Sequence, residues 1–263
     1  MEQHAKETYD RFAPIYDDWN AENDYEMWLG EVLLPELEKY GLRKGSALDV
    51  GCGTGRAFPP LLARGWRIVG CDISPGMLAQ ARCKFGSQVR LFNEDARSLP
   101  SFARLPDMTP DGGFDLILLL NDIVNYAIEI DELADLLTGL KQNLRPDGGL
   151  CCFDANTLGL FREDYATGVL DRRSVESWAW RGMTDEIRSG GVFEARLSGG
   201  GVESHLHRER HWPPEQMEPA LEKAGLCALA VLGQREESGR VLLANSPDEE
   251  RDRKVIYIAG HAA

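Results

Sequence analysis

The sequence predicts an α/β protein built on a doubly wound, mostly parallel β-sheet. Short apolar segments alternate with helical patterns between residues 46 and 155, a glycine-rich loop follows the first segment, and an acidic residue follows each of the next two. Alternation of this kind gives βαβ units, which pack as a parallel sheet with helices on both faces. Ligands of such sheets bind at the carboxyl ends of the strands, so the loop and the acidic residues are the first candidates for a site.

Each element of the alternation has its own sequence signal. Ser74-Pro75 opens a helix, because serine is a good N-cap and proline suits the first helical position. Leucines at 133, 136, 137, 140 and 144 recur at the spacing of one helix face. The strand signals lie at 47–50, 66–71, 89–92, 114–120, 150–153 and 226–232, with a possible hairpin through 240–258. We expect a mostly parallel, seven-stranded sheet.

We expect one domain of four parts across residues 1–263. Residues 1–45 form a helical cover, in which aromatic side chains recur at helical spacing around a break expected at Pro14 and a second helix is expected from about 24 to 40. Residues 46–156 form the ligand-binding core. Residues 157–211 alternate polar and apolar side chains, which predicts an antiparallel insertion that acts as a lid. Residues 212–263 complete the core sheet.

The charge balance bears on the partner. The chain has 29 basic and 43 acidic residues, a formal net charge of −14. A nucleic-acid binder concentrates lysine and arginine, so we expect no nucleic-acid partner and favour a small molecule. The longest apolar run is too short to span a bilayer, and the six cysteines include no CxxC pair. We therefore expect a cytoplasmic protein with reduced thiols and no membrane partner.

The glycine-rich loop joins the first strand to the first helix of the core. Its sequence after Asp49 and Val50 is Gly51-Cys52-Gly53-Thr54-Gly55-Arg56. Glycine permits positive φ and close approach of a ligand to the main chain. The spacing is G-x-G-x-G, arginine stands where a dinucleotide fingerprint needs its last glycine, and the phosphate-loop pattern is absent. Asp49 would repel a pyrophosphate but attract an α-ammonium group, directly or through water.

Two acidic positions follow the next two strands. Asp72 ends the second strand, where a carboxylate accepts hydrogen bonds from both ribose hydroxyls of an adenosine group. Glu94-Asp95-Ala96 follows the third strand, where a carboxylate can accept from the adenine amine. These positions indicate adenosine without choosing the cofactor, because NAD-binding folds share the ribose contact.

The ordered motifs resemble those of class I S-adenosylmethionine-dependent methyltransferases. They are Ala47–Arg56, Gly70–Leu78, Asp95-Ala96 and Leu144–Gly149, and they extend over about 100 residues in the family's order. Tyr16-Asp17 and Glu209–Glu215 also resemble the small-molecule branch, which includes sugar N-methyltransferases and glycine/sarcosine N-methyltransferases. The resemblance implies a Rossmann-like fold, S-adenosylmethionine as cofactor, and a small acceptor, such as one of natural-product biosynthesis, methylated on nitrogen or oxygen by in-line displacement.

The resemblance also implies further contacts with the cofactor. Ile73 and Met77 follow Asp72 in the matching motif and are expected at the cofactor. Tyr16 would meet the methionine carboxylate from above, and the backbone of Leu120 and Asn121 would contact the amino group. The N-terminal helix would fold over the cofactor, and the antiparallel insertion would cover the acceptor.

The proton acceptor is less well defined by the sequence. Related sugar N-methyltransferases can carry a histidine in the loop after the fourth strand, and Asn125 occupies that place here. Because asparagine is no base at neutral pH, either the acceptor loses its proton unaided or the base lies elsewhere. Residues 205, 207, 209 and 211 share one face of a strand. This face could form a polar wall, supply a base that faces the acceptor, or bind a metal. We expect a polar wall at His205 and His207, retain His211 and Asn125 as catalytic candidates, and expect no metal.

Two other functions stay open at this stage. An NAD(P)-dependent oxidoreductase would share the adenosine site, although the third glycine of its fingerprint is missing. A non-catalytic S-adenosylmethionine-binding protein would share the whole cofactor site. The acceptor's identity and the oligomeric state, with a homodimer among the alternatives, are not determined by the sequence.

Overall fold

The computed structural model describes residues 2–262 apart from 22, 43, 103–104, 106, 110, 168–173, 176–177 and 200–201. At 2–5, 174–175 and 202–205 it describes the backbone alone, so the side chain of His205 lies outside the described residues. No helix within the described part of the chain combines the length and the apolarity needed to cross a membrane.

The main sheet has the predicted mixed topology. Its strands are β1 (Ser46–Val50), β2 (Arg67–Asp72), β3 (Val89–Asn93), β4 (Leu116–Leu119), β5 (Leu150–Asn156), β10 (Leu226–Glu237), β11 (Arg240–Ala244) and β12 (Lys254–His261). Their order across the sheet is β11-β10-β12-β5-β4-β1-β2-β3. Strands β1 to β5 pair in parallel, and β12, β10 and β11 pair antiparallel.

The sheet has eight strands in the described chain, one more than predicted. Strand β10 continues beyond the predicted end at 232 to Glu237, and β11 pairs back along it from Arg240. The extra strand adds an edge to the sheet, and it leaves the order of the parallel strands and their carboxyl ends unchanged.

Helices cover both faces of this sheet. They are α1 (Glu2–Phe12), α2 (Tyr16–Trp19), α3 (Tyr25–Met27), α4 (Leu34–Glu38), α5 (Phe58–Ala63), α6 (Pro75–Phe85), α7 (Ile130–Asn143), α8 (Leu158–Asp164) and α9 (Pro214–Lys223). Side chains alternate along β4, so Ile117 and Leu119 join the core on the α7 face while Leu116 and Leu118 join the opposite core. Each fully buried leucine stabilises the fold by about 1.5–3 kcal/mol, before cavity and strain effects.

The N-terminal cover is interrupted at Pro14, as predicted, whereas its second helix is less regular than predicted. Pro14 interrupts the first helix, and a 3₁₀ turn at Ala13–Ile15 separates α1 from α2. The single helix predicted from 24 to 40 is α3 and α4 joined by π-helical turns at Trp28–Leu33. Asp24 caps its start by accepting a hydrogen bond from the Met27 amide at 2.9 Å.

The predicted insertion forms a second, four-stranded antiparallel sheet. Its strands are β6 (Ser174–Val175), β7 (Trp178–Gly182), β8 (Val192–Gly199) and β9 (Val202–Arg210), in that order. Strand β9 lies at one edge, and its His207 ring contacts Tyr9 of α1 at 5.7 Å between centroids. The N-terminal helix and the inserted sheet therefore meet above the carboxyl ends of β1 to β5.

Candidate active site

A cavity of about 470 Å³ lies at the carboxyl ends of the parallel strands. Its walls come from the glycine-rich loop, the segments after β2, β3 and β4, the helix α1 and the edge strand β9. Every residue that the sequence suggested for cofactor contact, except Gly55, lines this cavity. The catalytic candidates His211 and Asn125 do not line the cavity. His207, predicted from the sequence to lie in a polar wall, does line it.

The glycine-rich loop has the backbone that glycine alone adopts without strain. Gly51, Gly53 and Gly55 have φ angles of 69°, 53° and 83°. A Cβ on Gly55 would lie 2.7 Å from the Phe58 ring, so this glycine lets α5 pack against the loop. Gly55 therefore shapes the site from behind while Gly51 and Gly53 line it.

Asp72 is fixed in the cavity wall by two backbone donors. Its Oδ2 accepts from the Gly53 amide and its Oδ1 from the Ser74 amide, both at 2.8 Å. Burial raises the pKa of the Asp72 carboxyl to about 6, and these two hydrogen bonds limit the rise. A carboxylate held in this way keeps further lone pairs for a ligand's hydroxyl groups.

Asp49 is a buried acid whose charged form is disfavoured in the free protein. Burial, and then the negative charge of Asp72, raise the pKa of the Asp49 carboxyl to about 8. Within the described part of the chain no lysine or arginine pairs with it, although its side chain is buried. A buried acid of this kind favours a cationic ligand, which fits the α-ammonium group of S-adenosylmethionine.

Asp95 is engaged more fully than the sequence suggested. Its Oδ1 accepts from the Arg97 amide at 2.9 Å and from Arg97 Nε at 3.1 Å, and its Oδ2 accepts from Nη2 at 2.7 Å. Glu94, its neighbour, also lines the cavity. Asp95 therefore has less free acceptor capacity for an adenine amine than its position alone indicates.

The loop after β4 has an unusual backbone. Asn121 and Asp122 have φ angles of 64° and 59°, a conformation that costs of order 1–3 kcal/mol for residues other than glycine. Their amides donate to the two oxygens of Asp154 on β5, at 2.8 and 2.6 Å. The Asp154 carboxylate therefore stabilises this conformation of the loop.

The N-terminal segment is fastened over the glycine-rich loop. Tyr16 lies 3.9 Å from the position that a Cβ on Gly53 would take, and burial raises the pKa of its hydroxyl to about 12. Thr54 Oγ1 donates to Asp17 Oδ1 at 2.6 Å, and Lys84 forms an ion pair with the same carboxylate. The segment thus covers the part of the cavity where the sequence predicted the methionine carboxylate.

Three polar side chains form a hydrogen-bonded chain at another wall of the cavity. The hydroxyls of Tyr9 and Tyr126 are 2.8 Å apart, and the Tyr126 hydroxyl is 2.9 Å from Nδ1 of His207. Burial raises the pKa of both tyrosines well above the usual value, so both keep their protons. The ring of Trp180 packs against His207 in a tilted arrangement, with 4.8 Å between the ring centroids.

Glu209 lies behind this chain, buried and without direct access to the cavity. It accepts hydrogen bonds from the Tyr165 hydroxyl and, at 3.1 Å, from Asn156 Nδ2. Burial, and then the charge of Asp122, raise the pKa of the Glu209 carboxyl well above its usual range. The face of β9 predicted to carry polar side chains therefore packs into the protein interior.

His211 is held away from the cavity by partners on both ring nitrogens. The Gly190 amide donates to Nδ1 at 3.2 Å, so Nε2 carries the proton and donates to Glu249 at 3.0 Å. Asn125 is likewise engaged, since it donates to the Arg210 carbonyl at 2.7 Å and accepts from the Asn156 amide at 3.0 Å. Both side chains connect elements of the fold.

The spacing of the histidines along β9 already distinguishes His207 from His211. The period-2 alternation of β9 correctly places 207, 209 and 211 on a buried face. Residues 207 and 211 are about 13 Å apart along a strand, so both could not face one reacting atom. No three histidine, cysteine or acidic side chains gather as metal ligands in the described part of the chain.

Comparisons with known proteins agree with this geometry. Residues 47–148 match a family model described as a methyltransferase domain. The chain is 28% identical over 236 residues to a putative methyltransferase of Geobacillus sp. (strain WCH70), covering 85% of this chain and 91% of that protein.

Two solved structures share the fold over nearly the whole chain. An S-adenosylmethionine-dependent methyltransferase from Clostridium acetobutylicum superposes with a TM-score of 0.72 at 23% identity, covering 97% of this chain and 100% of that one. The sugar N-methyltransferase KedS8 from Streptoalloteichus sp. superposes with a TM-score of 0.60 at 18% identity, covering 93% and 90%. At these identities the likeness is one of fold.

Proposed function

Because the chain is a class I S-adenosylmethionine-dependent methyltransferase, we propose that it methylates a nitrogen or oxygen atom of a small metabolite. The observation that carries the proposal is the chain of Tyr9, Tyr126 and His207 in the wall of the cofactor cavity. The likeness of fold to a sugar N-methyltransferase and the formal charge of −14 support a small acceptor, of the kind met in natural-product pathways, over a nucleic acid.

The residues around the glycine-rich loop would hold the cofactor. Asp72 would accept from the ribose hydroxyls, Asp49 would balance the α-ammonium group, and Tyr16 would cover the methionine end. When bound, S-adenosylmethionine supplies an electrophilic methyl carbon on a sulfonium that is a good leaving group. The chain's own contribution is therefore to align the acceptor and to exclude water.

Two segments would exclude water from the cavity. The N-terminal segment of residues 1–45 contacts the glycine-rich loop through Tyr16 and Asp17, and the inserted sheet contributes the edge strand β9. We propose that residues 1–45 and 157–211 together act as a cover for cofactor and acceptor. Alignment of two reactants in a closed site can contribute about 7 kcal/mol or more in favourable cases.

His207 would receive the proton that the acceptor loses. An attacking amine or hydroxyl must shed a proton, and imidazole, with an ordinary pKa of about 6.5, is suited to accept it near neutral pH. Tyr9 and Tyr126 keep their hydroxyl protons, so each can donate one hydrogen bond and accept another. We therefore assign the role of proton acceptor to His207 and a scaffold role to His211.

Calorimetry and a turnover assay test the proposal. S-adenosylhomocysteine should bind the wild-type protein, and incubation with S-adenosylmethionine and a panel of amines, amino sugars and phenols should give a methylated product. Absence of binding to S-adenosylhomocysteine, together with binding of NADH, would overturn the proposal in favour of an oxidoreductase. Tight binding of S-adenosylhomocysteine without turnover of any acceptor in the panel would favour a non-catalytic cofactor-binding protein.

A further inference from the structure

A buried lysine stands behind the strained loop after β4. Lys254 begins β12, and its Nζ donates to Asp122 Oδ1 at 2.9 Å and to Asp154 Oδ1 at 3.0 Å. It lies diagonally across from Asp154 on one face of the sheet, because Asp154 pairs with Ile256 two residues farther along β12. Lys254 does not line the cavity and has no part in the chemistry proposed above.

The peptide geometry of the loop shows what this ion cluster controls. The amides of Asn121 and Asp122 both point at Asp154, and the chain has no cis peptide bonds in its described part. In a trans peptide the carbonyl points opposite to the amide that follows it. The carbonyls of Leu120 and Asn121 are therefore directed away from Asp154, and both residues line the cavity.

Two carbonyl oxygens turned to one side offer a site for a cation. Backbone carbonyls are acceptors without donors, so they suit an ammonium group. By accepting both amides Asp154 favours this orientation, which has positive φ angles at two successive residues other than glycine. Asp154 is buried, and a buried carboxylate needs a cation to remain charged.

We propose that Lys254 is a positioning residue for the amino-acid end of the cofactor. It acts through Asp154 and Asp122, which fix the two carbonyls that receive the ammonium group. This inference rests on the proposed function, because it assumes that S-adenosylmethionine occupies the cavity.

Two ligands separate positioning from general structural support. S-adenosylhomocysteine carries the ammonium group, whereas 5′-methylthioadenosine has the same adenosine and thioether without it. Lys254→Met should weaken binding of S-adenosylhomocysteine about tenfold or more, as expected for a charged hydrogen-bond network. Binding of 5′-methylthioadenosine should change less than about twofold, and Lys254→Arg should largely restore the loss. Asp154→Asn, which keeps a polar group at the centre of the cluster, should show the same selectivity if the methionine variant is unstable.

Arg235 provides a matched control. Its side chain is 16% exposed, as is that of Lys254, and it pairs at 2.6 Å with Asp252, which accepts the Asp248 amide outside the cavity. Arg235→Met should leave both affinities unchanged. Equal weakening of both ligands in the Lys254 and Asp154 variants, or no weakening of either, would overturn the inference alone. Failure of the wild type to bind S-adenosylhomocysteine would overturn the proposed function and this inference together.

Discussion

The two sides of the cavity that we propose for the cofactor and for the acceptor are built from different kinds of contact. On the cofactor side most candidate residues lie at or just after the end of a strand, as Asp72 ends β2 and Asn121 comes shortly after β4, whereas Tyr16 belongs to the N-terminal segment. On the acceptor side Tyr9 and Tyr126 are 117 residues apart in sequence, and Tyr126 and His207 are 81 apart. Local sequence order therefore specifies cofactor binding, whereas the acceptor side depends on three distant segments meeting.

This difference predicts that the two sides can be impaired separately. His207→Ala should reduce methyl transfer by about 10²- to 10⁴-fold, the usual contribution of an acid–base group, with affinity for S-adenosylhomocysteine changed less than about twofold. Steady-state turnover and calorimetry on the same preparation measure both quantities. A variant that lost cofactor affinity and turnover in parallel would contradict the division.

His211→Ala is the control for this variant. It removes a buried hydrogen-bonding partner, so it should lower the free energy of unfolding by about 1–3 kcal/mol. Turnover per folded molecule should stay near that of the wild type. If His211→Ala abolished turnover while His207→Ala did not, our assignment of the proton acceptor would be reversed.

The cofactor side should respond most to Asp72. Asp72→Ala removes the proposed ribose acceptor and its two hydrogen bonds to the Gly53 and Ser74 amides, so affinity for S-adenosylhomocysteine should fall by about tenfold to a hundredfold. Asp95→Ala should have a smaller effect, because Arg97 already engages both of its oxygens. Calorimetric titration of the two variants decides the order, and a larger loss for Asp95→Ala would contradict it.

The charge on Asp49 should make cofactor affinity depend on pH. With a pKa of about 8 in the free protein, Asp49 is protonated below that pH and must release its proton to balance an ammonium group. Affinity for S-adenosylhomocysteine should therefore weaken as the pH falls from 8 to 6, by at most about tenfold per unit. Titrations in buffers of different ionisation enthalpy should detect the released proton, and Asp49→Asn should flatten the profile. A wild-type profile as flat as that of Asp49→Asn would refute this role.

The smallest effect should come from the fastening of the N-terminal segment. Asp17→Ala removes a hydrogen bond from the buried Thr54 and a half-exposed ion pair with Lys84, so affinity should weaken only a few-fold, about 1 kcal/mol or less. Asp18→Ala, at the exposed neighbouring carboxylate, is the matched control. Raising the salt concentration should reduce the difference between the two variants, since exposed ion pairs are screened.

Most of the cofactor side could be predicted from sequence because its geometry is local. A glycine-rich turn after a strand and an acid at the end of the next strand keep their relation in any parallel sheet. The engagement of Asp95 by Arg97 was not predictable in the same way, although the two residues are close in sequence. It depends on the rotamers that the loop allows.

The acceptor side was predicted only as a strand face. Alternation along β9 placed 207, 209 and 211 together but gave no means of choosing which of them meets the cavity. Which of these residues meets the cavity depends on where α1 and the loop at 123–126 contact the strand. The possible hairpin predicted through 240–258 is paired differently in the structure, because β11 and β12 each pair with β10 rather than with each other.

The sequence by itself determined the parallel core, the glycine-rich loop and the acids that follow its strands, since neighbouring residues fix all three. Only the tertiary structure decided that His207 meets Tyr126, that His211 is bound to Glu249, and that Lys254 supports the loop after β4. These contacts join segments more than thirty residues apart, so they follow from how the helices and sheets pack.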